Sequence, residues 1–282
     1  MRGGGGEPVS FARTIRSHGC ATLPPARIEG PPPVYRRHLR VGARIVEVAM
    51  RERAGRLVAQ TETRLRSSEV ERLSELVARM FRLSDDLSPF YALLGRDDPL
   101  HWATQGAGRI LASPSVFEDV IKTICTTNCT WSATQRMTAA LTELGGGAFP
   151  EPQTLASTPQ SWYAGVARMG YRGAYVRSIA KLVASGALDL EALRDAGPTA
   201  DDEVERSLLE LPGIGPYAAA HVMLLLGRYG RLVLDSWTRP KYLRLTGRRR
   251  AADSSMRRAF ARYGPYAGLA FWLFLTRDWI EE

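Results

Sequence analysis

The stretch Leu211-Pro212-Gly213-Ile214-Gly215-Pro216-Tyr217 carries the most chemistry in this chain. Apolar residues at helical spacing precede it (Val204, Leu208, Leu211) and follow it (Ala218, Val222, Leu225, Leu226). That spacing predicts two helices joined by a tight turn. Amide N–H groups at the start of the second helix have no intrahelical partner, and the helix dipole is positive there, so an anion binds well. Gly213, Ile214 and Gly215 are therefore candidates for holding a phosphate, with the Ile214 side chain anchored in the core. A helix end and turn without a ligand is the alternative reading of a Gly-x-Gly. Asp235 stands just before Ser236-Trp237-Thr238-Arg239, which reads as a helix start. There an aspartate can simply cap the helix, or it can present a carboxylate to positive charge developing in a reaction.

The elements that must position these residues lie in a chain of 282 residues, 45% hydrophobic and 24% charged, an ordinary globular composition. No apolar run is long enough to cross a bilayer, and the first twenty residues lack a continuous apolar stretch, so the expectation is a cytoplasmic protein with no membrane association. The net charge of +9 suits a polyanionic partner, nucleic acid first among them. Only three of the 38 basic residues are lysines: Lys122, Lys181 and Lys241. Three cysteines, Cys20, Cys125 and Cys129, suit neither a disulfide framework nor a four-cysteine site, and so exclude a four-thiolate iron–sulfur cluster. Cys125 and Cys129 could share a helix face, but two thiols alone make a poor metal site, and no metal site is read from the sequence.

Along the chain, Met1–Pro8 is glycine-rich, and residues 1–20 are expected to form a flexible N-terminus. Pro24–Pro33 reads as an extended connector. Alternating segments at Val34–Val41, Arg44–Arg51 and Arg56–Leu65, with a turn at Ala54-Gly55, predict a small antiparallel sheet. A helix over Glu69–Phe81 follows, capped by Ser68, with Val70, Leu73, Leu76, Val77 and Met80 on one face. Further helices are expected after Pro114 and over Thr154–Tyr163, Arg172–Ser185, Asp201–Leu211 and Tyr217–Gly227, then two more after Asp235. Leu232–Leu234 reads as a brief extended link, and Tyr263–Trp272 as part of an amphipathic packing helix. The fold class is mainly α with a small N-terminal antiparallel β-sheet (α+β). The expected division is a small α+β domain over 21–105 and a helical domain over 106–282 that contains the hairpin.

Hairpin and Asp235 together resemble the helix-hairpin-helix DNA glycosylases marked by a Gly/Pro-rich loop and an aspartate. The segment Phe117-Glu118-Asp119-Val120-Ile121-Lys122-Thr123-Ile124-Cys125-Thr126-Thr127-Asn128 is similar to one in the 8-oxoguanine and 3-methyladenine branches. Met169-Gly170-Tyr171-Arg172-Gly173 resembles the Gly-Tyr-Arg turn of the 8-oxoguanine branch. Asp86-Leu87-Ser88-Pro89-Phe90-Tyr91 resembles the linker after the small sheet in 3-methyladenine glycosylases. Together these cover residues 35–250.

The resemblance implies a helix-hairpin-helix DNA glycosylase fold with Asp235 as the catalytic carboxylate. It implies Gly213, Ile214 and Gly215 on DNA phosphate, with Arg239 and Lys241 as further phosphate contacts, and Arg244 beside them. Asn128 would fill the gap left by the extruded base, Tyr171 would wedge into the stack, and Arg172 would meet the orphaned partner base. Bifunctional members carry a lysine nucleophile at the second residue after the last hairpin glycine. Here that residue is Tyr217, which implies a monofunctional enzyme that leaves an abasic site, with Tyr217 lining the base pocket. No cofactor is required by this reading, though the hairpin could carry a monovalent cation. The implied partner is double-stranded DNA, bound by a monomer at the nucleoid.

Wedge residues like one branch and chemistry like another leave the excised base open: an alkylated purine, 8-oxoguanine, or a modified pyrimidine such as the hypermodified cytosine of phage DNA. A non-catalytic hairpin protein that binds DNA or lesions is the alternative.

Overall fold

The computed structural model describes residues 1–195 and 200–280. Its first residues are packed, contrary to the flexible N-terminus expected from glycine content. Ser10 caps the short helix α1 (Phe11–Ile15), which buries Phe11 and Ile15. The buried Glu7 pairs with the buried Arg109, so the glycine-rich segment is tied down from the other side. Gly4 N also donates to Asp85 O. Specific polar contacts of this kind with a distant segment cannot be read from local composition.

Strands β1 (Ala26–Glu29), β2 (Val34–Val41), β3 (Arg44–Arg53) and β4 (Arg56–Gln60) form one antiparallel sheet in sequence order. β1 occupies part of the stretch expected to be an extended connector, and β4 ends at Gln60, short of the expected Leu65. Ala54 and Gly55 both have positive φ, the two-residue turn whose twist suits a hairpin. In β2 every second residue points inward, so Tyr35, Arg37, Leu39 and Val41 are buried. Helix α2 (Ser67–Met80) covers this face with Leu73, Leu76, Val77 and Met80. It starts before the expected Glu69, because the Glu69 side chain reaches back to accept from Arg66 N (2.8 Å). Val70, expected on the packed face, is exposed.

Beyond α3 (Ser88–Leu93) the described residues are helical or irregular. Ser115 caps α4 (Val116–Thr126), and Thr130 caps α5 (Trp131–Leu144). The helix expected over Thr154–Tyr163 is two, α6 (Pro152–Ser157) and α7 (Gln160–Gly165). Pro159 disfavours helical backbone at the residue before it, and Thr158 is extended accordingly (ψ 132°). Then come α8 (Arg172–Ala184), α9 (Ala192–Asp195), α10 (Asp201–Leu209), α11 (Pro216–Leu225), α12 (Thr238–Thr246), α13 (Asp253–Phe260) and α14 (Ala267–Thr276). The expected amphipathic tail helix is interrupted at Gly264-Pro265, where Gly264 has φ +54°. Its remainder, α14, is buried on nearly every side, as befits a central helix.

Three groups of apolar side chains make the core. One lies between the sheet and helices α1 and α2, one gathers α4–α8 with α10 and α11, and one gathers α3 and residues 94–110 with α11–α14. Leu87, Phe90, Leu94, Leu100 and Ala103, assigned by sequence to the N-terminal part, therefore pack with the C-terminal helices. α11 contributes to two of these groups: Val222 and Met223 to one, Leu224 and Leu225 to the other. The hairpin's second helix thus runs through the centre of the molecule.

The sheet is fastened to α4 by charge. The Arg37 Nη2 atom meets both Glu118 carboxylate oxygens at 2.9 Å, and Lys122 Nζ lies 2.7 Å from the same carboxylate. All three side chains are buried. Burial pushes the Glu118 carboxyl up, but Arg37 and Lys122 more than offset this and hold it below the usual carboxylate range. Next door, burial pushes Asp119 up to about 6, while its carboxylate accepts from Ser113 N. These two carboxylates, adjacent in the sequence, are structural.

Candidate active site

The hairpin has the form its sequence predicts. Leu211 and Ile214 are buried in the core group around α4 and α11. Gly213 has φ +84°, and a Cβ there would lie 2.5 Å from the Tyr175 ring, so both backbone conformation and close approach require glycine. Gly215 caps α11 and Pro216 opens it, where its missing N–H costs nothing. Ile214 N donates to Leu211 O (3.1 Å), so this amide is used within the turn. Among the described residues, the amides of Gly213 and Gly215 enter no such backbone bond. Ile214 is thus the anchor of the hairpin, and the two glycines are its open donors.

α11 leads by way of the buried link Leu232–Leu234 to Asp235. The two sequence readings of Asp235 are compatible. Its Oδ1 accepts from Trp237 N (2.9 Å) and Thr238 N (2.6 Å), and Thr238 Oγ1 accepts from Asp235 N (2.7 Å), closing the entry to α12. Oδ2 takes part in none of these bonds. The residue lines a cavity of about 400 Å³, so one oxygen fixes the carboxylate while the other is available to the cavity.

The cavity is largely aromatic: Trp131, Trp237, Trp272, Trp279 and Tyr217 line it, with Cys20, His221 and Thr126. Trp237, Trp272 and Trp279 contact one another with ring centroids 5.6–5.9 Å apart. Tyr217 stacks on His221 (6.1 Å, 19°) and its hydroxyl lies 3.1 Å from Thr126 Oγ1. Burial pushes the Tyr217 phenol well above its ordinary range, and the Asp235 charge adds to this. Burial likewise pushes the imidazoles of His221 and neighbouring His18 down, to about 4 and about 3, and the Cys20 thiol up to about 12.

The residues expected at the flipped site divide. Tyr171 is about half exposed, and the exposed Asn128, at φ +47°, donates to its hydroxyl through Nδ2 (3.4 Å). These two form one surface feature. Arg172 is different: it is buried, and its guanidinium donates to the carbonyls of Thr127 (2.9 Å from Nε), Asn128 (2.9 Å) and Met169. Arg172 here clamps the Asn128 loop and stacks on Tyr171 (4.7 Å). Arg239 and Lys241 are both paired: Arg239 meets both Asp253 oxygens (2.8 and 2.9 Å), and Lys241 pairs with Asp278.

No protein-family model matches the chain, and no curated protein matches it in sequence. Solved structures match over nearly its whole length. A 3-methyladenine DNA-glycosylase from Archaeoglobus fulgidus covers 96% of this chain and 95% of its own, with a TM-score of 0.73 at 21% identity. MBOgg1 in complex with a low-affinity DNA ligand covers 97% and 93%, at 0.72 and 21%. The Clostridium acetobutylicum 8-oxoguanine glycosylase/lyase covers 96% and 94%, at 0.72 and 19%. The fold is that of the helix-hairpin-helix DNA glycosylases.

Within this glycosylase fold, sequence reasoning missed most of the cavity. Trp131, Trp237, Trp272 and Trp279 come from three separate segments, and the contribution of Gly19 and Cys20 comes from the N-terminus. Tryptophan is scarce, six in the chain, and four of the six meet here. That concentration is a signal, but one visible only after folding. Among the described residues no helix is long and apolar enough to cross a membrane.

Proposed function

We propose that this chain is a monofunctional DNA glycosylase. It extrudes a damaged or modified base from duplex DNA into the aromatic cavity and hydrolyses its N-glycosidic bond, leaving an abasic site. The observation that carries this reading is Asp235, fixed through one oxygen at the wall of a cavity behind a phosphate-ready hairpin.

The geometry fits the chemistry. The Gly213 and Gly215 amides hold the backbone phosphate near the target nucleotide. Tyr171, supported by Arg172 and Asn128, enters the stack where the base has left. Indole and phenol faces receive the base by stacking. As the glycosidic bond breaks, positive charge grows on the sugar, and the fixed Asp235 carboxylate stabilises it and positions the attacking water.

None of the residues lining the cavity is a lysine. Lys122 is held by Glu118, Lys241 by Asp278, and Lys181 is exposed on α8, outside the cavity lining. No amine is therefore placed to attack the sugar carbon. Borohydride added during turnover is expected to give no covalent protein–DNA adduct, and strands are expected to break only after alkali. A reduced cross-link would overturn the monofunctional assignment.

A second expectation separates the wedge from the chemistry. Tyr171→Ala is expected to slow base release from a fully paired target about 10- to 100-fold, since extrusion costs a few kcal/mol that the wedge offsets. Release of the same base opposite an abasic gap should change much less. An equal loss on both substrates would place Tyr171 in the chemical step instead.

A further inference from the structure

Three side chains in and beside the cavity wall have no part in the reaction above. His18, Cys20 and His221 are buried, and each offers one ligand atom within 4.8 Å of those of the other two. They come from the N-terminal segment and from α11, so nothing in their sequence spacing announces them.

The way the imidazoles are held is informative. His18 Nε2 lies 2.7 Å from the Leu111 carbonyl, which accepts only from an N–H, so the Nδ1 lone pair is the free one. Nδ1 is buried with no hydrogen-bond partner. His221 Nδ1 lies 3.1 Å from Thr123 Oγ1, and with that nitrogen donating to the hydroxyl the Nε2 lone pair is free to ligate. A backbone carbonyl on the far nitrogen, as at His18, is how proteins fix the tautomer and orientation of a metal-bound histidine. Around tetrahedral zinc, with bonds of about 2.0 Å to nitrogen and about 2.3 Å to sulfur, ligand atoms sit about 3.5 Å apart. The ligand atoms, all within 4.8 Å of one another, reach that spacing by closing about 1 Å around the ion.

We propose that His18, Cys20 and His221 form a three-ligand site for a zinc-class divalent ion, with Cys20 bound as thiolate. Binding releases the Cys20 proton to solvent. Two nitrogens and one thiolate suit zinc, and three protein ligands leave a fourth position open. Cys20 and His221 both line the cavity that Asp235 lines, so a base held there is within reach of the open position. There the ion takes a carbonyl oxygen or ring nitrogen of the base, a role that rests on the glycosylase reading although the site itself does not. Lys122, whose charge reaches His18 and Cys20, is matched by Glu118, and Asp119 adds a further carboxylate near Cys20.

The test uses the full chain, freed of metal and titrated with Zn²⁺ or Co²⁺. One zinc per chain is expected by elemental analysis, and the Co²⁺ form should show thiolate-to-cobalt absorption in the near ultraviolet and tetrahedral visible bands. Cys20→Ser should abolish the thiolate band, Cys129→Ser should keep it, and Thr123→Val should weaken affinity about 10- to 100-fold. Wild-type protein that binds less than a tenth of an equivalent, or a cobalt spectrum that Cys20→Ser leaves unchanged, overturns the site. Base release by metal-free protein bears only on the role of the ion, since metal content alone decides whether the site exists.

Discussion

Asp235→Asn is expected to retain the fold and duplex binding while losing base release. Asparagine is nearly isosteric, and its amide oxygen can accept the same two bonds from Trp237 N and Thr238 N. The entry to α12 therefore survives. What is lost is the negative charge beside the sugar at the moment positive charge develops there. Removing one fixed electrostatic partner of a transition state typically costs about 100- to 1,000-fold, so single-turnover release should fall by at least that. Binding depends on the hairpin and on phosphate neutralisation, and its steep salt dependence should be unchanged. Release at the wild-type rate would remove Asp235 from the mechanism. A loss of binding equal to the loss of release would make it a structural cap.

The largest stability effect is expected at the charge cluster between sheet and helix. Glu118→Leu leaves Arg37 and Lys122 buried beside each other without a counter-charge. Breaking a buried pair this way costs about 3–5 kcal/mol. At roughly 2–4 °C per kcal/mol for a chain of this size class, the melting temperature should fall by about 10 °C. The triple change Arg37→Met, Glu118→Leu and Lys122→Met should recover most of the loss, because apolar side chains of similar volume leave no unpaired charge. Equal destabilisation in both variants would mean that packing at this contact, and not charge, joins the sheet to α4.

What could be read from the sequence follows from what is local. Gly213 with its turn, and Asp235 with its helix start, are decided by a few neighbouring residues, and the structure has both elements. The strands expected over 34–41 and 44–51 and the packed face of α2 were legible from periodicity. Val70 was not, because the helical spacing that marks a face does not say how wide the covered stripe is. Arg172 was assigned by analogy, but its direction is set by the carbonyls of Thr127 and Asn128 across a turn. Arg239 and Lys241 looked like free cations until Asp253 and Asp278 came to meet them. The cavity was the least legible part, since α14, the N-terminal segment and α5 reach it from distant parts of the chain.

The proposed activity is hydrolysis of the N-glycosidic bond of a base held beside Asp235. The most direct measurement is the release of free base, identified by mass, from duplexes each bearing one alkylated purine, 8-oxoguanine, uracil or hypermodified cytosine. The native protein is predicted to release one of them and leave a site that breaks only in alkali, and Asp235→Asn to release none. Release that persists in Asp235→Asn, or tight binding without release from any duplex by the native protein, would contradict the account.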